Sequence, residues 1–334
     1  MILLVPDSLV RRSITAEECV RAVDAGFRLY ASGKAAAERN RVSSADEGSP
    51  PAVPVGEANA RFSYGAHAQV SLYGAYVPGW GLGAKTLGAF ESNPERGEPY
   101  IHALISVHDP ETGKLEAILD GGYLTALRTA AAVAIGFEHL ARHDSRVLGI
   151  LGTGLQARTH LLCHLAVHPF EEVVVWGRTE TKVREYIDEM SEQAPIAITA
   201  CSSPRDLCQK ADVVAGTTRA RIPLFSACDV RSGTHVGVAG PLRQEGSEIP
   251  LSLLESSLLY VDSWTKFEGL WDYGYAPRIE GELGDVMLGR TPGRRSSDDI
   301  TVFKPVGMAF EDVVSARVVL ERVKREGSGI SVEW

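Results

Sequence analysis

One hexapeptide restricts the fold of this chain more than any other feature. Gly152-Thr153-Gly154-Leu155-Gln156-Ala157 follows directly on an apolar stretch, Val147–Leu151, and opens a helical pattern that runs to about Val167. A G-x-G-x-x-A motif alone is a weak signal, but here it stands in the strand–turn–helix context that its chemistry requires. Gly152 permits the tight turn, Gly154 leaves room for a pyrophosphate against the backbone, and Ala157 lets the helix pack closely on the strand. The helix N-terminus adds N–H donors and a positive dipole end. Beyond it, short apolar segments at residues 173–176, 196–200, 212–217, 234–239 and 258–262 alternate with helical stretches. That alternation predicts an α/β fold, a Rossmann-type doubly wound sheet.

The first third reads differently. Thr15-x-x-Glu18 is a capping box that opens a helix with Cys19, Val23, Phe27 and Tyr30 on one face and Gly33 as its stop. From Lys34 to about Ala68 the chain is polar and rich in Pro, Gly, Ser and Ala, which predicts a surface loop with short strand-like fragments, of a length that can line a site. Segments 70–77, 82–87 and 102–108 read as strands, and Asp109-Pro110-Glu111-Thr112-Gly113-Lys114 as a turn returning into 115–119, so this region is expected to form a meandering antiparallel sheet. Ala-rich 127–140 reads as a tightly packed helix. Val313, Ala316, Leu320 and Val323 fall at helical spacing near the end.

With 334 residues the chain has material for about two domains. Its 34 Lys+Arg against 43 Asp+Glu leave a net charge of −9, which argues against a nucleic-acid or anionic-membrane partner. Any anionic ligand is therefore held by local arginines and backbone amides. The five cysteines are odd in number and scattered without a C-x-x-C pair, as in a reduced protein whose thiols fill space. No apolar run reaches the roughly 18 residues of a membrane span. Met1-Ile2-Leu3-Leu4-Val5 lacks a basic region before it and is cut short by Pro6-Asp7, so it reads as a strand. The expectation is a cytoplasmic protein.

Cofactor choice is written at the end of the next strand, Val173-Val174-Val175-Trp176-Gly177-Arg178-Thr179. An NAD site usually carries Asp or Glu there, accepting from the ribose 2′-OH. Here Arg178 follows, with Thr179 and Lys182 one turn on. A guanidinium pairs with a 2′-phosphate that a carboxylate would repel, so NADP(H) is favoured over NAD(H).

Several motifs in fixed order carry a family resemblance. They are Lys85, the turn Asn93-Pro94-x-Arg96-Gly97, and the run Leu119-Asp120-Gly121-Gly122-Tyr123-Leu124-Thr125-Ala126-Leu127-Arg128-Thr129-Ala130-Ala131, then the 152–157 loop. Gly233-Thr234-His235-Val236, Gly281-Glu282-Leu283-Gly284-Asp285-Val286 and Thr301-Val302-Phe303-Lys304-Pro305-Val306-Gly307-Met308-Ala309-Phe310-Glu311-Asp312 complete the series. From about residue 70 onward the chain resembles the ornithine cyclodeaminase/μ-crystallin family. The resemblance implies a homodimer, a Rossmann domain at 127–304, and a mixed α+β substrate-binding and dimerisation domain made of 1–126 and the C-terminal helix within 305–334. It also implies hydride transfer between nicotinamide and the α-carbon of a small amino or imino acid.

By the same resemblance Arg128 is the carboxylate-binding arginine; a planar guanidinium fixes a carboxylate by two parallel N–H···O bonds. Arg41, with Arg39 nearby, resembles a second clamp. Lys85, in the apolar stretch Leu82-Gly83-Ala84-Lys85-Thr86-Leu87, either snorkels from an edge or is buried for a purpose; burial would lower its pKa and suit it to protonate nitrogen or orient the carboxylate. Lys85 and Arg128 are the expected catalytic residues. Thr129, Thr217, Thr218, Val238 and Gly307 join Gly152, Thr153, Gly154, Leu155, Gln156, Ala157, Arg178, Thr179 and Lys182 as the expected cofactor-binding set.

Two departures bear on the reaction. The cyclodeaminase branch resembles a Val-Gly-x-Asp turn where this chain reads Val238-Ala239-Gly240-Pro241, and Pro241 has no proton to exchange. No acid stands near Ser71, where that branch has a Glu. These losses argue against ornithine cyclisation and leave hydride transfer intact, with Glu245, Glu248 and His67 as stand-ins for the missing acid. His160, His164 and His168 lie four apart on one helix, with Cys163 alongside, but no carboxylate stands at ligand spacing; they read as packing or surface residues, and no metal is expected. Trp264, Phe267, Trp271, Tyr273 and Tyr275 form an aromatic-rich segment before Arg278, read either as packing or as a pocket wall. The function expected is an NAD(P)H-dependent reductase of an α-imino acid or cyclic ketimine, also usable as an amino-acid dehydrogenase. A cyclodeaminase recycling bound NAD, and a catalytically weak NADPH-gated small-ligand binder, are the alternatives.

Overall fold

The computed structural model describes residues 1–42, 55–64, 68–240, 246–270 and 277–333. Two compact units are present: residues 1–128 with 308–334, and residues 129–307.

In the first unit, seven strands form one sheet in the order β15-β1-β6-β5-β4-β3-β2. They are β1 (Ile2–Val5), β2 (Gly56–Tyr64), β3 (Ala68–Val77), β4 (Gly81–Phe90), β5 (Ile101–His108), β6 (Leu115–Asp120) and β15 (Ile330–Val332). Strands β2 to β6 are the expected antiparallel meander, whereas β1 joins β6 in parallel and β15 in antiparallel pairing. Side chains alternate across the sheet as the period of two demands. On β4 the odd-numbered residues are buried, Lys85 among them, while Ala84 and Phe90 are exposed. The inner face packs against α10 (Ala309–Glu326), and α2 (Ala16–Val42) packs on α10. Phe27 and Phe310 meet edge to face there at 5.0 Å between ring centroids.

The capping box at Thr15 forms as expected: the Glu18 amide donates to Thr15 Oγ1, and the Thr15 amide donates to Glu18 Oε2. Gly33 does not stop the helix, which continues to Val42. An interior glycine costs only about 1 kcal/mol, and Ala35, Ala36, Ala37, Glu38 and Arg39 are strong helix formers. The expected surface loop from Lys34 onward is likewise corrected by β2, which pairs with β3 over nine residues. Short α1 (Asp7–Arg12) follows β1.

The second unit holds an eight-stranded, wholly parallel sheet in the order β13-β12-β14-β11-β10-β7-β8-β9. Its strands are β7 (Val147–Leu151), β8 (Glu172–Trp176), β9 (Ala197–Ala200), β10 (Val213–Gly216), β11 (His235–Val238), β12 (Leu258–Val261), β13 (Ile279–Glu282) and β14 (Thr301–Lys304). The last two are absent from the sequence reading: four-residue strands carrying Gly, Glu or Lys show too little apolar run to stand out. Order reverses between β7 and β10, the switch point of a doubly wound sheet. One face is packed by Phe137 of α3 (Gly122–Leu140), α4 (Leu155–Val167) and α5 (Glu180–Gln193). The other is packed by α6 (Pro204–Lys210), α7 (Leu251–Ser256) and Phe267 of α8 (Trp264–Leu270). Helix α3 starts five residues before the expected 127, and α9 (Leu283–Met287) is a single turn after β13.

His160 and His164 lie inside this unit, fully buried on α4, stacked at 5.9 Å, with Phe137 against His164. Each Nδ1 donates to the carbonyl four residues back, and neither Nε2 has a partner among the described residues. His168 bonds the Ser145 carbonyl at 2.7 Å. No group of three His, Cys, Asp or Glu able to hold a metal occurs among the described residues. Burial, with the His164 charge second, lowers the His160 pKa to about 3; burial lowers that of His164 to about 4. The unfolded chain therefore binds protons that the native state refuses between pH 6.5 and about 4. Native stability is full above 6.5 and falls below it, by on the order of a few kcal/mol by pH 4.5. Urea titrations at pH 7 and pH 4.5 should show that loss, and the H160Q/H164Q double variant should show a smaller one.

Candidate functional site

In the first unit Lys85 is fully buried in a central strand, and the snorkelling alternative is excluded. Its Nζ donates to Asp312 Oδ1 at 2.8 Å and lies 2.7 Å from Oδ2, with the Tyr73 ring 4.7 Å away. Arg128 Nε donates to the same Oδ1 at 3.0 Å, and its NH1 donates to Glu311 Oε2 at 2.6 Å. Both acids sit in the first turn of α10, where carboxylates are favoured by the helix dipole. Glu311 also accepts from the Met308 amide, and Glu57 of β2 accepts from the Phe310 amide at 2.8 Å. Two cations and two anions thus neutralise one another out of water. Glu311, Asp312 and Glu57 were not singled out by the sequence, although the first two lie within a quoted motif.

The electrostatics follow from burial. Desolvation, with Arg128 next, lowers the Lys85 pKa to about 8 despite Asp312. Desolvation also works against the Arg128 cation, but Asp312 and Glu311 outweigh it and raise its pKa. Arg128 keeps 8% side-chain exposure against 0% for Lys85, so both cations of the cluster are buried. Ser71 is buried with an unpartnered Oγ, on the strand facing Lys85's strand. Arg41 falls near the end of α2, and its side chain lies outside the described residues.

In the second unit the glycine turn has the shape that a dinucleotide requires. Gly152 stands at φ +119°, and a Cβ there would lie 2.6 Å from Thr217 Oγ1, which itself donates to the Leu151 carbonyl. A Cβ on Gly154 would meet nothing within 4 Å, so the space above the backbone is open. Gly154 caps α4 without any side-chain hydrogen bond, which leaves the first-turn amides for a ligand. Ala157 is fully buried against the sheet, and Leu155 is exposed. The residues present fit a dinucleotide.

Past β8, Gly177 is required by crowding, since a Cβ would lie 2.8 Å from Thr153 Cγ2. Arg178, Thr179 and Lys182 are exposed, and the first acid, Glu180, is paired with Arg184. Thr218 donates through N and Oγ1 to Glu248. Val238 contributes its side chain to the core, and the Gly307 amide donates to Asp262, so neither side chain nor amide is free at those positions. Thr129 is half-buried on α3. Pro241, Glu245, His67, Trp271, Tyr273 and Tyr275 lie outside the described residues; Trp264 is exposed and Phe267 buried.

The sequence pattern of the ornithine cyclodeaminase/mu-crystallin family matches residues 2–327, and the chain belongs to that family. A Delta(1)-pyrroline-2-carboxylate reductase of Bacillus cereus is 32% identical over 265 residues, 76% of this chain and 81% of its own. The solved structure of Thermococcus litoralis Delta(1)-pyrroline-2-carboxylate reductase in complex with NADH and L-proline superposes with a TM-score of 0.85 at 27% identity, over 99% of this chain and 100% of that one. An archaeal alanine dehydrogenase dimer with bound NAD gives 0.86 at 26%, over 100% and 99%. These relatives are oxidoreductases by name, and the doubly wound fold is the one they share. Among the described residues no helix is long and apolar enough to cross a membrane.

Because Asp312 holds two buried cations, removing it should cost more than removing a surface acid. Asp312→Ala is expected to lower unfolding free energy by about 3–5 kcal/mol in urea titrations, against under 1 kcal/mol for Asp144→Ala at the exposed Arg142 pair.

Proposed function

We propose that this protein is an NADP(H)-preferring reductase of a small α-imino acid or cyclic ketimine, able to run in reverse as an amino-acid dehydrogenase. The observation that carries the reading is the buried Arg128 guanidinium, fixed by Asp312 and Glu311 in one cluster with Lys85. A cation so fixed is pre-organised for a carboxylate, and its neutralised surroundings keep the site from rejecting a neutral or cationic imine beside it. Arg128 takes the substrate carboxylate. Lys85, on the same Asp312, keeps that guanidinium in register and holds the proton that nitrogen needs when carbon receives hydride. A bound dinucleotide supplies the hydride; Gly152, Thr153, Gly154, Leu155, Gln156 and Ala157 would hold its pyrophosphate. The lack of an acid at the end of β8, where Gly177 and Arg178 stand, together with Lys182, supports a 2′-phosphate. The relatives' names support the C=N and CH–NH2 chemistry.

The test is a panel of preformed cyclic imines, and of keto acids with amines, followed by oxidation of NADPH and NADH separately. A cyclic or acyclic α-imino acid should oxidise NADPH stoichiometrically with product. Arg128→Ala should lower kcat/KM at least 100-fold, and Arg178→Asp should reverse the preference toward NADH. Full activity in the Arg128 variant would remove the assignment.

The open face of the first unit's sheet supports a homodimer. Ala60, Leu72, Thr86 and Leu104 stand in register across β2 to β5, and Leu72 and Leu104 are 42% and 45% exposed, with Phe62 and Phe90 nearby. An apolar sheet face of this kind is self-complementary in an isologous pair, so a second copy is the occupant. The L72E/L104E variant should elute as a monomer where the native protein elutes as a dimer, with unchanged far-ultraviolet circular dichroism.

A further inference from the structure

Glu248 is the buried acid that the proposed chemistry leaves unused. Its side chain is 1% exposed, and its carboxylate end lies in a slot between the ends of two neighbouring strands. A Cβ on Gly216, the last residue of β10, would lie 2.9 Å from Oε1. One on Gly240, two residues past β11, would lie 2.4 Å from it. Oε2 accepts from the Thr218 amide at 2.8 Å and from Thr218 Oγ1 at 2.7 Å, while Oε1 lies against Gly240, whose backbone N–H also favours the ionised carboxylate. Two glycines at adjacent strand ends make the room in which this buried carboxylate sits. A carboxylate needed only to anchor Thr218 would not require that slot.

Position in the sheet says which half of the ligand this carboxylate attends. The pyrophosphate turn follows β7, and the mononucleotide half on β8 and β9 meets Arg178. The second half, which carries the nicotinamide, falls to β10 and β11. The charged groups that face Glu248 among the described residues are few. Lys304, the last residue of β14, is buried, donates to the Pro305 carbonyl and faces Glu248; Asp262, just past β12, faces Lys304 in turn and accepts from the Val306 and Gly307 amides. With all three ionised the cluster carries one net negative charge, and with Glu248 protonated it is neutral.

We propose that Glu248 makes the site distinguish the oxidised from the reduced cofactor: the positive nicotinamide ring binds with release of the Glu248 proton, and the neutral dihydronicotinamide binds without it. The proposal rests on the dinucleotide reading above. A buried carboxylate near a cationic ring is favoured by Coulomb attraction that water does not screen, whereas the reduced ring gives it no such partner. Burial raises the Glu248 pKa to about 7 against the pull of Thr218, Lys304 and Gly240, which puts the exchange in the neutral range. Lys304, whose pKa burial lowers to about 8 against Asp262 and Glu248, is the rival source of a proton.

The sign is fixed by linkage. If the oxidised ring favours the ionised carboxylate, affinity for the oxidised form rises with pH through about 7, while affinity for the reduced form does not. A 2′-phosphate also titrates near pH 6, but it is common to both forms and cancels in their ratio. Isothermal titration of the full chain with NADP+ and NADPH, in two buffers of different ionisation enthalpy at pH 7, reads the protons released. Between pH 6 and 8 the ratio of Kd for NADP+ to Kd for NADPH is expected to fall about fivefold for one pKa unit of coupling. NADP+ binding should release a fraction of a proton and NADPH none. In Glu248→Gln, which keeps an oxygen for Thr218, the ratio should change less than twofold. Equal proton release with both forms, or release persisting in Glu248→Gln (which assigns it to Lys304), overturns the proposal. Should that variant fail to fold, the native ratio alone decides, and Thr218→Val, which removes one donor to the carboxylate, should move the transition to higher pH. Failure of either dinucleotide to bind would instead overturn the cofactor reading itself.

Discussion

The first unit depends on charges that cannot be separated. Lys85 comes from β4, Arg128 from α3, and Asp312 and Glu311 from the first turn of α10, so three elements far apart in sequence are joined by one neutral cluster with almost no contact with water. Each ion has been taken out of solvent at a cost of several kcal/mol, and only the mutual pairing offsets it. The pairing is directional, because Asp312 receives Lys85 and Arg128 on the same oxygen while Glu311 takes the guanidinium's far side. The cluster therefore sets the register of α10 against the sheet as much as it prepares a site. An arginine suits the place between two acids, because its planar fork of five donors can bond two carboxylates at once and keep further N–H groups.

The second unit solves a different problem by removing side chains. At Gly152, Gly154, Gly177, Gly216 and Gly240, all at the carboxyl ends of parallel strands or just beyond, a methyl group would either collide or fill the space over the backbone. The uncapped end of α4 supplies the dipole and the amides. Beneath the same edge lie Glu248, Asp262 and Lys304, buried and mutually compensating. Backbone donors and buried charge are thus arranged along one edge, with bulk excluded from it.

Much of this was legible in the chain. The alternation after Val147, the glycine turn, the hairpin at Asp109 and the capping box at Thr15 are local patterns, and local patterns survive into structure because their hydrogen bonds close within a few residues. Arg128 and Lys85 stood out because a charged residue in an apolar stretch has few bland explanations. What was misread was longer-range. Gly33 reads locally as a stop, yet its weak penalty is overridden by the helix formers that follow. β2, with alanines and polar residues, becomes a strand by pairing along all nine residues of β3. Glu248 was one of three stand-ins, with Glu245 and His67, that nothing in the sequence separated; the structure buries it between two glycines.

Taken alone, the amino-acid order determined the class of fold, the turn that faces a phosphorylated ligand and the two basic residues around which the site is built. Each is a matter of periodicity, steric freedom at glycine or a charge amid apolar neighbours, all readable within a short window. Tertiary structure decided which acids answer those bases: Asp312 is 227 residues from Lys85, and Glu311 is 183 from Arg128. It also decided which acid is isolated enough to hold a proton near neutrality. Charge compensation and desolvation depend on distance in space, and no window along the chain encodes that distance.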